Sequence, residues 1–174
     1  MSAALFEVIG HVEVVLRNSI HQEMVSWCRA NGHDENWFLN GHGFLDHRAV
    51  RDVEKVLNRL RKSDSDLVPD ELVSELNFGF WRYLMTTRYL TNLWVWAISK
   101  AFPAHLTLET RPLFSRVRRT HRLRNLVAHH EPIFSRRIDL VLLDAYLVVR
   151  AIDPEIERWV RERSRVEELL IAKP

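Results

Sequence analysis

The sequence predicts an all-α protein, on three observations. Apolar residues recur at helical spacing along most of the 174 residues, five glycines and six prolines are the only strong helix breakers, and no stretch shows the period-two alternation of a half-buried strand. A hydrophobic content of 47% with 28% charged residues is typical of a chain that folds around a core. We therefore expect one helical bundle over residues 1–174, without internal repeats.

The apolar pattern and the turn residues place the helices along the chain. A long amphipathic helix begins the chain and stops at Gly32, and Pro69 and Pro154 stand where a first helical turn tolerates proline. The arginine-rich helix ends before Pro132, because the residue that precedes a proline is disfavoured in helical conformation. The predicted helices cover residues 2–31, 46–63, 69–76, 81–102, 108–131, 138–152 and 154 onward.

Cysteine usage and the chain's N-terminus suggest the compartment. A single cysteine, Cys28, provides neither a disulfide framework nor paired zinc ligands. No signal-peptide pattern is present, and no apolar run approaches the roughly 20 residues that a membrane helix needs. His33, His42 and His47 lie close in the sequence but lack a cysteine partner and tight ligand spacing. We expect a cytoplasmic protein with no membrane partner, no metal and no cofactor.

The segment from Arg111 to His130 concentrates positive charge. It carries six arginines, three histidines and no acid, although the formal net charge of the whole chain is only +2. The planar guanidinium of arginine holds a phosphate through two parallel hydrogen bonds, so this choice of residue favours a nucleic acid as partner. We expect RNA to contact Arg116, Arg118, Arg119 and Arg122. A merely solvated helix face is the alternative interpretation.

Arg124 has an unusual position on this helix. On a wheel of about 100° per residue it falls inside the apolar arc that faces the core. An arginine turned toward the packed side needs a partner or a polar pocket, because an unpaired buried charge costs several kcal/mol. The arc consists of Leu113, Val117, Thr120, Leu123 and Val127.

Asn125 and His129 are four residues apart and so share a face, and the long side chain of Arg124 can reach its edge. RNA cleavage without a metal needs a group that accepts the 2′-hydroxyl proton, a group that protonates the leaving oxygen, and cations for the charged transition state. One copy of the segment provides one histidine, His129, and one arginine, Arg124, with Asn125 beside them, which is only half of such a site. A symmetric homodimer would place two copies of them around one cleft. His130 offers a second histidine, or a cap for the helix end.

A polar cluster on the first helix could support Arg124. Glu13, Arg17 and His21 follow one another at four-residue steps. Glu13 can pair with Arg17, or turn inward to hold Arg124, and Asn18 is the neighbouring polar alternative. A simple surface ridge is equally compatible with this spacing.

Residues 124–134, Arg-Asn-Leu-Val-Ala-His-His-Glu-Pro-Ile-Phe, resemble the signature of the Abi-like (abortive-infection) proteins of the HEPN superfamily. The aromatic block at 77–81 and the Leu16-Arg17-Asn18 step also resemble that family. The likeness thus extends over most of the chain, although the motif at 124–134 carries most of its specificity.

The resemblance implies a HEPN-like helical bundle that dimerises through the motif and cleaves RNA without a metal, in phage defence or as a toxin. Arg124 and His129 would be the catalytic pair, Asn125 the polar residue beside the arginine, and His130 the alternative to His129. An antitoxin or a regulatory small RNA would be a further partner. Members of the superfamily that bind without cutting make a non-catalytic RNA- or protein-binding module the alternative.

Overall fold

The computed structural model describes residues 1–39, 43–62, 69–105, 110–133 and 137–172, and within these ranges the structure is helical with no strand. The all-α prediction is therefore confirmed. The helices are α1 (Ser2–Ala30), α2 (His47–Lys62), α3 (Pro69–Glu75), α4 (Phe78–Leu84), α5 (Leu93–Trp96), α6 (Thr110–Ala128), α7 (Ile138–Ile152), α8 (Pro154–Arg163) and α9 (Val166–Ile171). Among the helices of the described ranges, none is both long and apolar enough to cross a membrane.

The chain divides into two compact units. The first comprises Met1–Leu16 and Phe102–Pro174, and the second comprises Arg17–Ala101, so α1 contributes to both. The single domain expected over residues 1–174 stays a prediction, and we describe each unit by itself.

The end of α1 follows from one glycine. Gly32 has φ +70°, a left-handed conformation that costs glycine little. The backbone N–H of His33 donates to Cys28 O at 2.9 Å and that of Gly32 to Arg29 O at 3.4 Å. These two bonds form a Schellman motif, which satisfies carbonyls that the last turn leaves free. The predicted stop at Gly32 is thus confirmed.

In the first unit, α7 packs against both α6 and α8. The apolar arc predicted on α6 is buried at all five positions. Asp153 Oδ1 begins α8 by accepting hydrogen bonds from the backbone N–H groups of Glu155 at 2.7 Å and Ile156 at 3.1 Å, with Pro154 in the first turn. The short α9 is a separate helix that the sequence pattern did not separate from α8.

In the second unit, the continuous helix predicted over 81–102 is wrong. The chain there forms α4, a 3₁₀ turn at Thr87–Tyr89, α5 and a second 3₁₀ turn at Ile98–Ala101. Thr86 Oγ1 donates to Tyr83 O at 2.8 Å where α4 ends, and Asn92 Oδ1 accepts from Leu93 N at 2.7 Å where α5 begins. Such short polar side chains compete with the helical hydrogen bonds of the backbone. Apolar periodicity alone did not reveal these breaks.

Asp46 connects α2 to the elements that follow α3. Its Oδ1 accepts from the N–H groups of Arg48 at 3.2 Å and Ala49 at 3.0 Å, which caps α2. Its Oδ2 accepts from the Tyr83 hydroxyl at 2.7 Å, and its backbone N–H donates to the Tyr89 hydroxyl at 3.1 Å. Burial would raise the pKa of this carboxyl, but the hydrogen bonds, led by that of Tyr83, outweigh burial and hold the pKa below its ordinary value.

Candidate functional site

Arg124 meets a carboxylate from α1 within the first unit. Its Nε lies 3.7 Å from Glu13 Oε2, and the two side chains are only 32% and 21% exposed. The Arg124 Nε atom itself is buried, and among the described residues it has no hydrogen-bond acceptor. Of the two partners weighed for Glu13, Arg124 is therefore the one that it contacts, as an ion pair rather than a hydrogen bond.

Asp144 on α7 contacts two of the six arginines between Arg111 and His130. Arg119 Nη2 donates to Asp144 Oδ1 at 2.8 Å and Arg119 Nε donates to Oδ2, while Arg116 Nε lies 3.8 Å from Oδ1. The hydrogen bond to Asp144 raises the pKa of Arg119. Asp144 is buried. The sequence interpretation missed it, although it is the only acid in the apolar run of residues 140–149.

The three remaining arginines lie together with two residues of the motif. Within the described ranges, none of these arginines has an ion-pair partner, and all are exposed. At about 100° per residue the five side chains fall within an arc of about 60°, so they share one side of α6. We call this side the free face of α6, and it consists of Arg111, Arg118, Arg122, Asn125 and His129.

The free face differs from the expected RNA-binding set. That set of four arginines is divided between Arg118 and Arg122 on the free face and Arg116 and Arg119 beside Asp144. RNA binding by all four stays a prediction. The helical wheel that placed Arg124 among apolar residues also aligns Arg118 and Arg122 with His129, but the sequence interpretation did not apply it to them.

Arg124 and His129 lie on different sides of α6. Arg124 faces Glu13, whereas His129 is exposed at the helix end. Their positions are separated by about 140° around the helix axis. The sequence interpretation expected Arg124 of the same chain to reach the edge of the face that carries Asn125 and His129, whereas this placement puts Arg124 and His129 on separate sides of the helix.

The two histidines of the motif have different backbone roles. His129 N–H donates to Asn125 O at 3.0 Å and continues the helical hydrogen bonding past Ala128. His130 has φ 54°, its N–H donates to Val127 O at 3.2 Å, and the next N–H donates to Leu126 O at 2.9 Å. This is again a Schellman motif. His130 therefore caps α6 through its main chain, whereas both imidazoles remain exposed.

Replacing His130 with glycine is expected to stabilise the protein by about 1 kcal/mol, because a left-handed backbone is strained for a residue with a Cβ atom. Denaturant unfolding of the parent and of His130→Gly measures the difference. As a matched control, Gly32→Ala places a Cβ atom at φ +70° and should lower stability by a similar amount. A less stable His130→Gly protein would show that the imidazole contributes contacts of its own.

The supporting residues expected on α1 beyond Glu13 belong to the second unit. Arg17 Nε donates to Asn18 Oδ1 at 3.1 Å, and Arg17 Nη1 donates to Ser74 O at 3.0 Å. His21 Nδ1 accepts from Trp37 Nε1 at 3.3 Å. Each side chain therefore has a structural partner in its own unit, and its role in supporting Arg124 stays a prediction.

His21 makes the second unit sensitive to acid. Burial lowers its pKa below the ordinary 6.5, with a smaller lowering by Arg17 and an opposing effect of Asp70. Because Nδ1 accepts a hydrogen bond, protonation of the ring also breaks its contact with Trp37. The stabilising contribution of neutral His21 is complete above pH 6.5 and is lost as the pH falls below 6.5 toward the lowered pKa.

Melting temperatures measured between about pH 5 and pH 8, the range in which histidine ordinarily titrates, test this expectation. The melting temperature should fall as the pH approaches the acidic end of that range. In His21→Asn the amide oxygen can replace Nδ1 as acceptor without titrating, so the pH dependence over this range should become flatter. An unchanged pH profile in that variant would assign the acid sensitivity to another group.

The described residues include no group of three histidines, cysteines or carboxylates placed to hold a metal ion. His42, one of the three histidines considered in the sequence, lies outside the described residues. His33 stacks on Trp27, with ring centroids 5.3 Å apart.

No family model, no curated protein and no solved structure matches this chain. The likeness to Abi-like proteins thus depends on the motif and on the shorter segments that accompany it. Phe134, the last residue of the motif, lies outside the described residues.

Proposed function

We propose that this protein is a metal-independent endoribonuclease of the HEPN type, related to the Abi-like proteins and acting as a symmetric homodimer in the cytoplasm. The observation that carries the proposal is the free face of α6, on which three arginines without an ion-pair partner among the described residues lead to an exposed histidine. An arginine that a carboxylate holds in place lies on the same helix. In this proposal the enzyme serves phage defence or acts as a toxin, under the control of an antitoxin or a regulatory small RNA.

The proposed reaction uses the RNA's own 2′-hydroxyl. Its oxygen attacks the adjacent phosphorus, the bond to the 5′-oxygen breaks, and the products carry a 2′,3′-cyclic phosphate and a 5′-hydroxyl. One imidazole accepts the 2′-hydroxyl proton and another donates a proton to the leaving 5′-oxygen, which is a task suited to histidine near neutral pH. His129 is the proposed proton-transfer group, Asn125 orients it, and Arg124 stabilises the charge on phosphorus.

A second copy of the chain supplies what one chain lacks in this scheme. A two-fold axis near the end of α6 would bring two His129 side chains to one cleft, one as base and one as acid. It would also bring the Arg124 of each chain toward the His129 of the other, an arrangement that accommodates their separation of about 140° around one α6. The free faces would then guide the RNA toward this cleft through its phosphates.

Incubation of mixed RNA with the protein in buffer containing a chelator tests the proposal. His129→Ala should slow cleavage by about 100-fold or more, as is typical when a general acid or base is removed. Its melting temperature should stay unchanged because the side chain is exposed. His47→Ala, at an exposed histidine of α2, is the matched control and should cleave like the parent. Equal rates for His129→Ala and the parent would rule out the proposed chemistry.

A non-catalytic RNA-binding module is the second candidate function. It is favoured by the position of Arg124, which faces Glu13 instead of sharing a side of α6 with His129. In that case RNA would bind to the free face without being cut. Arg118→Ala would weaken binding while Arg150→Ala, at an exposed arginine of α7, would not.

A further inference from the structure

An apolar groove lies between α6 and α7 in the first unit, with a volume of about 680 Å³. Leucines form much of its surface: Leu126 comes from α6, and Leu140, Leu143 and Leu147 come from α7. Leu140 is 49% exposed and Leu143 45% exposed. Leu140 and Leu143 thus expose neighbouring apolar side chains along α7 at one side of the groove, and a contiguous apolar surface is typical of one that binds a partner.

The spacing of the leucines indicates that the groove fits a helix. Leu140, Leu143 and Leu147 recur at i, i+3 and i+7, the repeat by which one helix presents a seam to another. The lining on α6 extends from Pro112 to Leu126, which corresponds to about 20 Å along the helix axis. A third helix of about four turns would fill this length.

The positive charges at the rim of the groove favour an acidic partner. Arg122 and Arg137 form the charged rim of the groove and are exposed, whereas the lining residue Arg119 is already bound to the buried carboxylate of Asp144. Arg137 has an exposed partner, Asp139, and exposed pairs of this kind contribute little and exchange readily. A second copy that presented the same groove would oppose arginine to arginine, so the symmetric pairing of two grooves is disfavoured.

We propose that the groove between α6 and α7 binds an acidic amphipathic helix of a partner protein. The apolar side of that helix packs on the leucine seam, and its flanking carboxylates pair with the arginines of the rim. Arg122 of the rim also belongs to the free face of α6, so the test substitutes Leu143 and Arg137, neither of which belongs to the proposed catalytic or RNA-binding residues. Peptide binding at the groove does not depend on ribonuclease activity.

Fluorescence anisotropy with two labelled model peptides tests the proposal on the full chain. Both peptides have about 14 residues with leucines at i, i+3 and i+7, and they carry either glutamates or lysines beside the leucine stripe. The glutamate peptide should bind about tenfold or more tightly than the lysine peptide. Leu143→Asp should weaken its binding by about tenfold or more, and Arg137→Glu should reduce the preference for glutamate.

The controls separate this outcome from others. Leu169→Asp changes a leucine of α9 that is 39% exposed and should bind like the parent, and circular dichroism should show that Leu143→Asp remains folded. Equal binding of the two peptides, or unchanged binding by Leu143→Asp, would overturn the proposal. So would a change of oligomeric state in Leu143→Asp, since the groove would then be an interface between copies. Loss of single-stranded RNA binding in that variant would assign the groove to RNA and equally overturn the proposal.

Discussion

Replacing Arg124 with alanine is expected to slow RNA cleavage by about 100-fold or more, because a fixed cation at the reacting phosphate acts chiefly on the transition state. Arg124→Lys should not restore the rate, since a lysine cannot reproduce the planar guanidinium. The rate constant at saturating RNA, measured with a chelator present, is the quantity to compare. Arg150→Ala, at an exposed arginine of α7, is the matched control.

Glu13→Gln distinguishes catalysis from a structural ion pair. The carboxylate lies 3.7 Å from Arg124 Nε and attracts the guanidinium as an ion pair. If Arg124 is catalytic, Glu13→Gln should slow cleavage by about tenfold, while stability changes by only about 1 kcal/mol for so partly exposed a pair. Arg124→Ala and Glu13→Gln proteins that lose stability but cleave at the parental rate would show that the pair serves the fold alone.

Asp46→Ala is expected to lower the free energy of unfolding by about 3 kcal/mol. The substitution removes the cap of α2, which contributes about 1 kcal/mol, and the charged hydrogen bond from the Tyr83 hydroxyl, which contributes about 2 kcal/mol. Denaturant unfolding measures the loss. The depressed pKa of Asp46 gives a matching pH dependence: its contribution is present above the ordinary pKa of 3.8 and is lost as the pH falls through the lowered value.

Two further variants show which part of Asp46 matters. Asp46→Asn retains an oxygen that can cap α2 and should recover about 1 kcal/mol, a third of the loss. Asp52→Ala changes an acid within α2 whose Oδ1 lies 3.3 Å from Lys55 Nζ near the surface, and it should change stability by about 0.5 kcal/mol or less. If Asp52→Ala lowers the free energy of unfolding as much as Asp46→Ala does, the loss in Asp46→Ala cannot be assigned to the Tyr83 hydrogen bond.

The sequence predicted individual helix ends well where a boundary residue marked them. Gly32 stops α1 and Asp153-Pro154 begins α8, although the break between α8 and α9 was not predicted. The stretch over 81–102 was equally apolar, but it is interrupted by side-chain hydrogen bonds of Thr86 and Asn92. Periodicity measures which side chains are buried, and short segments can bury them as well as one long helix does.

The candidate site was predictable in part. The wheel correctly placed Arg124 toward the packed side, and Glu13 was named as one of two groups that could hold it. The pairing of Arg119 with Asp144 joins residues 25 positions apart, and nothing local to the arginine-rich segment reveals it. The separation of Arg124 from His129 follows from the same wheel on the predicted helix, but the sequence interpretation did not apply the wheel to this pair.

Asp144 has a consequence for how salt would affect this protein's binding to any polyanion. Each cation that contacts a phosphate displaces about one condensed counterion, and the slope of affinity against salt counts the cations that do so. Arg116 and Arg119 already have Asp144 as their counterion, and Arg124 has Glu13. We therefore expect the three arginines of the free face to set most of the ionic response of α6, about half of what a count of its six arginines would give.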